Sequence, residues 1–220
     1  MRLQLKPDNQ LRLSDAVYET LLEAILSGRL ATGAVVSEVA LAAQLQVSRT
    51  PVHDALRQLT KDGLIGQEAN RRAVVAKFTA EDVFDVFEMR KLLEGEAARR
   101  AATRMDRPAR ADLRNVMAEL ARTLDDPGGV ARWTDFDDQF HAAIAQACGS
   151  KRLAQDISRY RMLHRGFNRL TTTVQVLQQA MVEHARILDA LDARSAKAAQ
   201  AAMVEHLEEW QAYFVRQFQI

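Results

Sequence analysis

Apolar residues recur along most of this chain with a period near 3.6, and in only one short region does the period shorten towards 2. Val17, Leu21, Ala24 and Ile25 fall at i, i+4, i+7 and i+8, which predicts a first helix capped by Ser14 and ended by Gly28. Gly33 punctuates the loop that follows, and Ser37 opens a short helix from Glu38 to Leu45. A third helix follows Val47-Ser48, runs to about Asp62 and is stopped by Gly63. Leu64-Ile65-Gly66-Gln67 and Ala73-Val74-Val75-Ala76 are then short and β-prone, with polar Glu68-Ala69-Asn70-Arg71-Arg72 between them, which reads as a hairpin. Three helices and a two-stranded wing predict a winged helix-turn-helix domain over residues 1–77, its first ten residues a loose arm.

Lys77-Phe78-Thr79 reads as a linker, and Thr79 with Asp82 suits a capping-box start to a long helix from about Ala80 to Met105. Everything after it keeps the helical period. Breaks fall at Asp106-Arg107-Pro108, Asp125-Asp126-Pro127-Gly128-Gly129, Gly149-Ser150, Thr171-Thr172-Thr173 and Arg194-Ser195. The expectation is a mainly α protein whose second domain, 78–220, is an all-α antiparallel bundle of six helices, or seven if one is split.

Composition narrows this further. The chain is 48% hydrophobic and 27% charged, enough to build cores and stay soluble, and its 9 Gly and 4 Pro argue against low complexity and against a turn-rich all-β fold. No stretch approaches the ~18 apolar residues of a membrane span, and Met1 to Pro7 lacks the apolar core of a signal peptide. A single cysteine, Cys148, excludes an internal disulfide framework and fits a reducing cytoplasm. The net charge of +1 excludes a wholly basic nucleic-acid binder but not a local basic surface. Residues 1–77 carry a net of +2 and the remainder −1, so a polyanion contact is sought in the N-terminal third.

There the third helix places Val52, Ala55, Leu56 and Leu59 on one face and Arg49, Thr50, His53, Arg57 and Lys61 on the other, with Pro51 in its first turn. A polar, basic helix start held over a small three-helix core suits the DNA major groove. Arg49 and Arg57 can fork onto guanine O6 and N7, while Ser48, Thr50 and free helical N–H groups suit phosphates. The alternative is a protein-binding winged helix with a merely solvated face. Gln46 stands at the turn position usually taken by Gly, where a left-handed backbone is expected. Leu26-Ser27-Gly28-Arg29-Leu30, Leu41-Ala42 and Val47-Ser48-Arg49-Thr50-Pro51-Val52 resemble the GntR family of bacterial transcriptional regulators, and the bundle after residue 78 resembles the FadR-type ligand-binding half of that family, the FCD domain. The resemblance implies that Arg49 contacts an operator and that a wing carrying Arg71 and Arg72 enters or borders the minor groove. The chain departs from the family pattern at His53, where Arg is usual, and at Arg72, where Gly is usual.

The second domain holds polar residues on apolar stripes. Trp133, Asp137, His141, Ile144 and Cys148 share one helix face; Leu177, Met181, His184, Leu188 and Leu191 share a second; Ala199, Met203, His206, Trp210 and Tyr213 share a third. The two later histidines end copies of one segment, Ala-Met-Val-Glu-His, at 180–184 and 202–206. Four polar groups aimed into one bundle are costly unless they satisfy one another or a ligand. The spacing leaves two readings open, a buried Asp–His network and a divalent transition metal such as Zn, Ni, Mn or Fe. The resemblance implies the metal, since many FCD domains bind a divalent ion through an Asp-x-x-x-His pair and two later histidines, and Asp137, His141, His184 and His206 match each position. Glu183 and Glu205 fall one residue off the His faces, so neither is expected at the centre.

Arg90 lies in the stripe Val83, Val86, Leu93 and Ala97 of the long helix. It suits either an ion pair with Asp137, Glu94 or Glu96, or a clamp on a carboxylate ligand. The resemblance implies an effector pocket here, and Arg161, His164 and Asn168 share a helix face that suits its lining. Together these features predict a cytoplasmic homodimeric regulator, more a repressor than an activator, whose grip on a near-palindromic operator responds to a small organic acid bound beside the metal. Two other readings are a regulator that senses the metal itself and a metal-dependent hydrolase.

Overall fold

Gly63, at φ +77°, closes the third helix in a left-handed turn that few residues other than glycine adopt without strain, and the chain leaves that turn for the first strand of the wing. A computed structural model of the chain describes residues 12–67, 72–171 and 174–217, with only the backbone described at 165–171, 174, 175 and 217. The chain divides into two compact units, Met1–Thr79 and Ala80–Ile220.

In the first unit, α1 (Leu13–Leu26), α2 (Glu38–Leu45) and α3 (Arg49–Lys61) precede β1 (Ile65–Gln67) and β2 (Ala73–Val75). Val17, Leu21, Leu22, Val52, Ala55 and Leu59 are buried where α1 and α3 pack. Ser14 does not cap α1. The helix starts one residue earlier, Arg12 stands at its N-cap, and the Arg12 carbonyl accepts from Asp15 and Ala16. Ser37 does cap α2, its hydroxyl accepting from the Ala40 N–H at 3.3 Å. The strands pair antiparallel in the register Ile65 with Val75 and Gln67 with Ala73. The wing has a third neighbour that alternation in the sequence did not show. Residues 33–36 run beside β2, with Gly33 and Val36 donating to Val75 and Ala73, and Val75 donating to Ala34.

The second unit holds six helices among the described residues: α4 (Ala80–Arg104), α5 (Arg107–Thr123), α6 (Gly129–Ala147), α7 (Lys151–Thr171), α8 (Val174–Asp192) and α9 (Ala196–Gln217). None is split. Asp106 caps α5 by accepting from the Ala109 N–H, and Pro108 in the first turn costs no hydrogen bond. Long α4 packs along α9 and also meets α6, α7 and α8, so it is the central strut. Gly95 permits this closeness. A Cβ there would lie 3.0 Å from Val204 Cγ2 of α9. Arg110 and Arg114 tie α5 to Asp189 and Asp192 of α8 at 2.7–2.9 Å. Three stripe residues expected inside sit at half-buried positions, Leu93, Met181 and Tyr213, and the core includes Ala180, Ile187 and Phe214 as well. No helix is long and apolar enough to cross a membrane.

Candidate functional site

The first unit presents its polar helix face as the pattern requires. Pro51, Val52, Ala55 and Leu59 of α3 are buried, Leu56 is half-buried, and Arg49, Thr50, His53, Arg57 and Lys61 are exposed, as is Ser48 at the N-cap. Gln46 takes the left-handed conformation at φ 59°, turning the chain from α2 into α3. Arg49 and His53 share an acidic partner, Glu38 of α2. Arg72 is exposed beside β2, and Arg71 lies outside the described residues.

In the second unit, α6, α8 and α9 bring Asp137, His141, His184 and His206 together. All four are buried, and one ligand atom from each lies within 4.8 Å of the other three. His184 Nε2 and His141 Nε2 stand 3.2 and 3.6 Å from Asp137 Oδ1. Among the described residues neither buried Nε2 makes a hydrogen bond. Donors ~2.1 Å from a common ion stand about 3–4.2 Å apart, a range that holds both Asp137 distances, and one carboxylate with three imidazoles is a donor set that suits a divalent metal.

The outer nitrogens explain the convergence. His184 Nδ1 lies 2.7 Å from the Ala180 carbonyl, which only accepts, so Nδ1 carries the proton. His206 Nδ1 lies 2.8 Å from Glu183 Oε2, and His141 Nδ1 bonds Glu94. A carboxylate partner fixes the same tautomer in each, leaving Nε2 with a lone pair that could ligate an ion. Burial lowers the pKa of His184 and, further, that of His206, which keeps both rings neutral. Burial alone would raise the pKa of Asp137, yet Arg161 first, then His141 and His184, hold it well below the carboxylate range. The His184 ring is wedged among Phe140, Trp133 and Phe136 at centroid distances of 4.2, 5.1 and 6.1 Å.

A cationic cluster adjoins the centre. Arg90 Nε donates to Glu94 Oε1 at 2.7 Å, and its guanidinium sits 4.9 Å from the Phe87 ring centroid. Arg161 Nη2 donates to Asp137 and Asp138, both at 2.6 Å. Of the two readings of Arg90, the ion pair is therefore present, with Glu94; Glu96 instead meets Arg99 and Arg100. Yet Arg90 Nη1, Arg161 Nη1 and His164 Nδ1 are all buried without a hydrogen-bond partner among the described residues. Leaving a buried donor unpaired costs ~1–3 kcal/mol, and more for a charged group. The side chain of Asn168 lies outside the described residues.

Residues 13–75 match the family model of bacterial regulatory proteins, gntR family, and residues 85–209 match that of the FCD domain. The chain belongs to the GntR family of transcriptional regulators, with an FCD domain. It is similar to the HTH-type transcriptional regulator in the TAR-I ttuE-ttuC' intergenic region of Agrobacterium vitis, at 31% identity over 143 residues, covering 62% of this chain and 80% of the relative. It is 26% identical over 196 residues to the "probable D-xylose utilization operon transcriptional repressor" of Paenarthrobacter nicotinovorans, covering 89% of this chain and 85% of the relative. It shares its fold with E. coli McbR/YncC, at a TM-score of 0.73 and 19% identity, covering 95% of this chain and all of that one.

Two acidic residues of this GntR-family regulator escaped the sequence reading of the centre. Glu183, expected off the His face, turns to His206 on the neighbouring helix and is buried. Glu94 was weighed only as a partner of Arg90, and it also holds His141. Glu205, the residue equivalent to Glu183 in the second Ala-Met-Val-Glu-His segment, is exposed as expected. Trp133, on the same stripe as Asp137 and His141, is buried, and its Nε1 has no hydrogen-bond partner among the described residues.

Proposed function

We propose that this GntR-family protein is a ligand-responsive regulator, acting as a homodimer and as a repressor, whose hold on a near-palindromic operator is set by a small carboxylate bound in the FCD domain beside a divalent metal. The observation that carries the proposal is the cluster of Arg90 Nη1, Arg161 Nη1 and His164 Nδ1, buried and unpartnered next to the four-residue centre. Two guanidinium donors at the edge of an Asp/His set match an anion with two oxygens, since Arg forks onto carboxylates.

Asp137, His141, His184 and His206 would hold the metal, and imidazole with carboxylate suits Zn, Ni, Mn or Fe. When bound, the ion supplies a Lewis-acid contact for an oxygen of the effector. The chain's own residues do the rest: Glu94 and Glu183 orient His141 and His206, Arg161 keeps Asp137 ionised, and the aromatic wall of Trp133, Phe136 and Phe140 excludes water from His184. Arg49, Thr50, Arg57 and His53 of α3, with Ser48, Arg71 and Arg72, are the residues proposed to meet DNA. The name of the Paenarthrobacter relative supports repression. A regulator in which the ion alone is the signal leaves the three unpartnered nitrogens unexplained, and so does a hydrolase.

The test is calorimetry of a panel of small mono- and dicarboxylates against metal-loaded and metal-stripped protein, followed by operator binding with and without each binder. An acid that binds only the loaded protein and changes operator affinity supports the proposal. Operator binding that follows the metal and ignores every acid overturns it in favour of metal sensing.

A further inference from the structure

Glu38 is the first residue of α2 and faces α3. Its two carboxylate oxygens are divided between two α3 side chains one turn apart. Arg49 Nε donates to Oε1 at 3.1 Å, and His53 Nδ1 lies 3.1 Å from Oε2. The Glu38 side chain is half-buried, whereas those of Arg49 and His53 are 68% and 56% exposed. The bond from His53 first, then that from Arg49, lowers the pKa of the Glu38 carboxyl, so Glu38 is charged at neutral pH.

An exposed ion pair of this kind adds little to stability. Its position is also unfavourable on charge alone, because a carboxylate beside a DNA-reading face repels phosphates. What it does to the two side chains is specific. Holding Arg49 through Nε leaves the Nη1/Nη2 edge as the one that points away from the carboxylate, and that edge is a two-pronged donor for guanine. Holding His53 through Nδ1 leaves Nε2 facing outward. A free Arg and a free His on a solvated helix would each have to be immobilised on binding, and a shared carboxylate has already done part of that.

We infer that Glu38 is a positioning residue for base reading, one that orients Arg49 and His53 together before DNA arrives and so sharpens sequence discrimination. The inference rests on the proposed assignment of α3 as the DNA reader. It has a sign that charge alone does not give: removing a negative group from the interface weakens binding to the correct sequence, while binding to other sequences is unchanged or tighter.

The experiment uses the full chain. Wild-type protein selects a duplex from a random library, and fluorescence anisotropy then measures affinity for that duplex and for a scrambled one of equal composition. Glu38→Ala is expected to lose about ten-fold on the selected duplex, the effect of freeing two side chains, with no loss on the scrambled one. Glu38→Gln keeps one acceptor oxygen and should fall between. In an Arg49→Ala/His53→Ala background, Glu38→Ala should cause no further loss, which a merely structural role would not reproduce. Unchanged or tighter binding of Glu38→Ala to the selected duplex overturns the inference and leaves the α3 assignment standing. Equal losses on both duplexes with a lowered melting temperature overturn it in favour of helix support. Failure of the wild type to select any sequence overturns the α3 assignment, and the inference with it.

Discussion

His206 donates its Nδ1–H to Glu183 at 2.8 Å, and the two residues come from different copies of the same five-residue segment. The reverse pairing is not made, because His184 uses the Ala180 carbonyl and Glu205 faces solvent. Glu183→Ala is therefore expected to weaken metal binding by roughly 10–100-fold, the usual effect of removing the partner of a ligating imidazole, while Glu205→Ala leaves it unchanged. Competition against a chromogenic chelator measures both, and equal losses would show that the partner of His206 does not tune the centre.

The purified protein should carry about one divalent ion per chain by elemental analysis, and His184→Ala combined with His206→Ala should abolish it. Chelation should lower the melting temperature, since an ion held only by the folded state at a hundred times its dissociation constant adds ~2.7 kcal/mol. A wild type that takes up no ion and shows no thermal shift with Zn, Ni or Mn would mean that the four residues form only a polar network.

Arg49→Ala should cost ~1–3 kcal/mol per half-site and flatten the preference at one base pair, with little change in melting. Anisotropy on matched and single-base-altered operators gives both quantities. Operator affinity like that of the wild type would remove α3 as the reader.

Arg90 separates into two substitutions. Arg90→Ala strands Glu94 in the interior and should destabilise the bundle by ~3–5 kcal/mol. Arg90→Lys keeps a cation for Glu94 but loses the unpartnered Nη1, so it should keep the fold and the metal and weaken the carboxylate effector ten-fold or more, ~1.4 kcal/mol. Calorimetry that finds the effector bound equally well by wild type and Arg90→Lys would place the effector elsewhere.

Acid should destabilise the metal-free protein well before ordinary carboxylates titrate. Burial lowers the pKa of His184, and lowers those of His206 and His164 well below the imidazole range. Unfolded, each ring takes up a proton near pH 6.5. The unfolded state thus binds more protons below that point, and stability that is complete above pH ~6.5 declines as the pH falls, by up to ~1.4 kcal/mol per unit for each ring. Asp137 and Glu94, also held well below their usual values, add to the loss below pH ~4.5. Melting of chelated protein from pH 7.5 to 5.5 tests this, and His164→Phe should flatten the slope. A melting temperature independent of pH over that range would contradict it.

The helices of the first unit were legible because their signals are local. Gly28, Ser37 and Gly63 bound the helices by backbone chemistry that acts within a few residues, and Gln46 announced its own strained turn. The four residues of the proposed metal centre were legible because each interrupts an apolar helix stripe. Their supporting acids were not. Whether Glu94 and Glu183 turn inward depends on how far neighbouring helices are rotated, and that is fixed by packing of α4 on α6 and of α8 on α9, residues far apart in the chain. Ser14 misled for a related reason: a good capping residue one step inside a helix looks the same in sequence as one at its start.

Gly95 gives the centre a gauge. It adjoins Glu94, which holds His141, and its bare Cα faces Val204, two residues before His206. A methyl group at 95 would have to push α9 outward by a few tenths of an ångström, because the β-branched Val204 has little freedom to turn aside. Metal–ligand bonds tolerate about 0.2 Å. The absence of one carbon atom on α4 is thus matched in size to the precision that three histidines on three helices need, and Gly95→Ala would act as a shim, detuning a centre whose four residues were all still present.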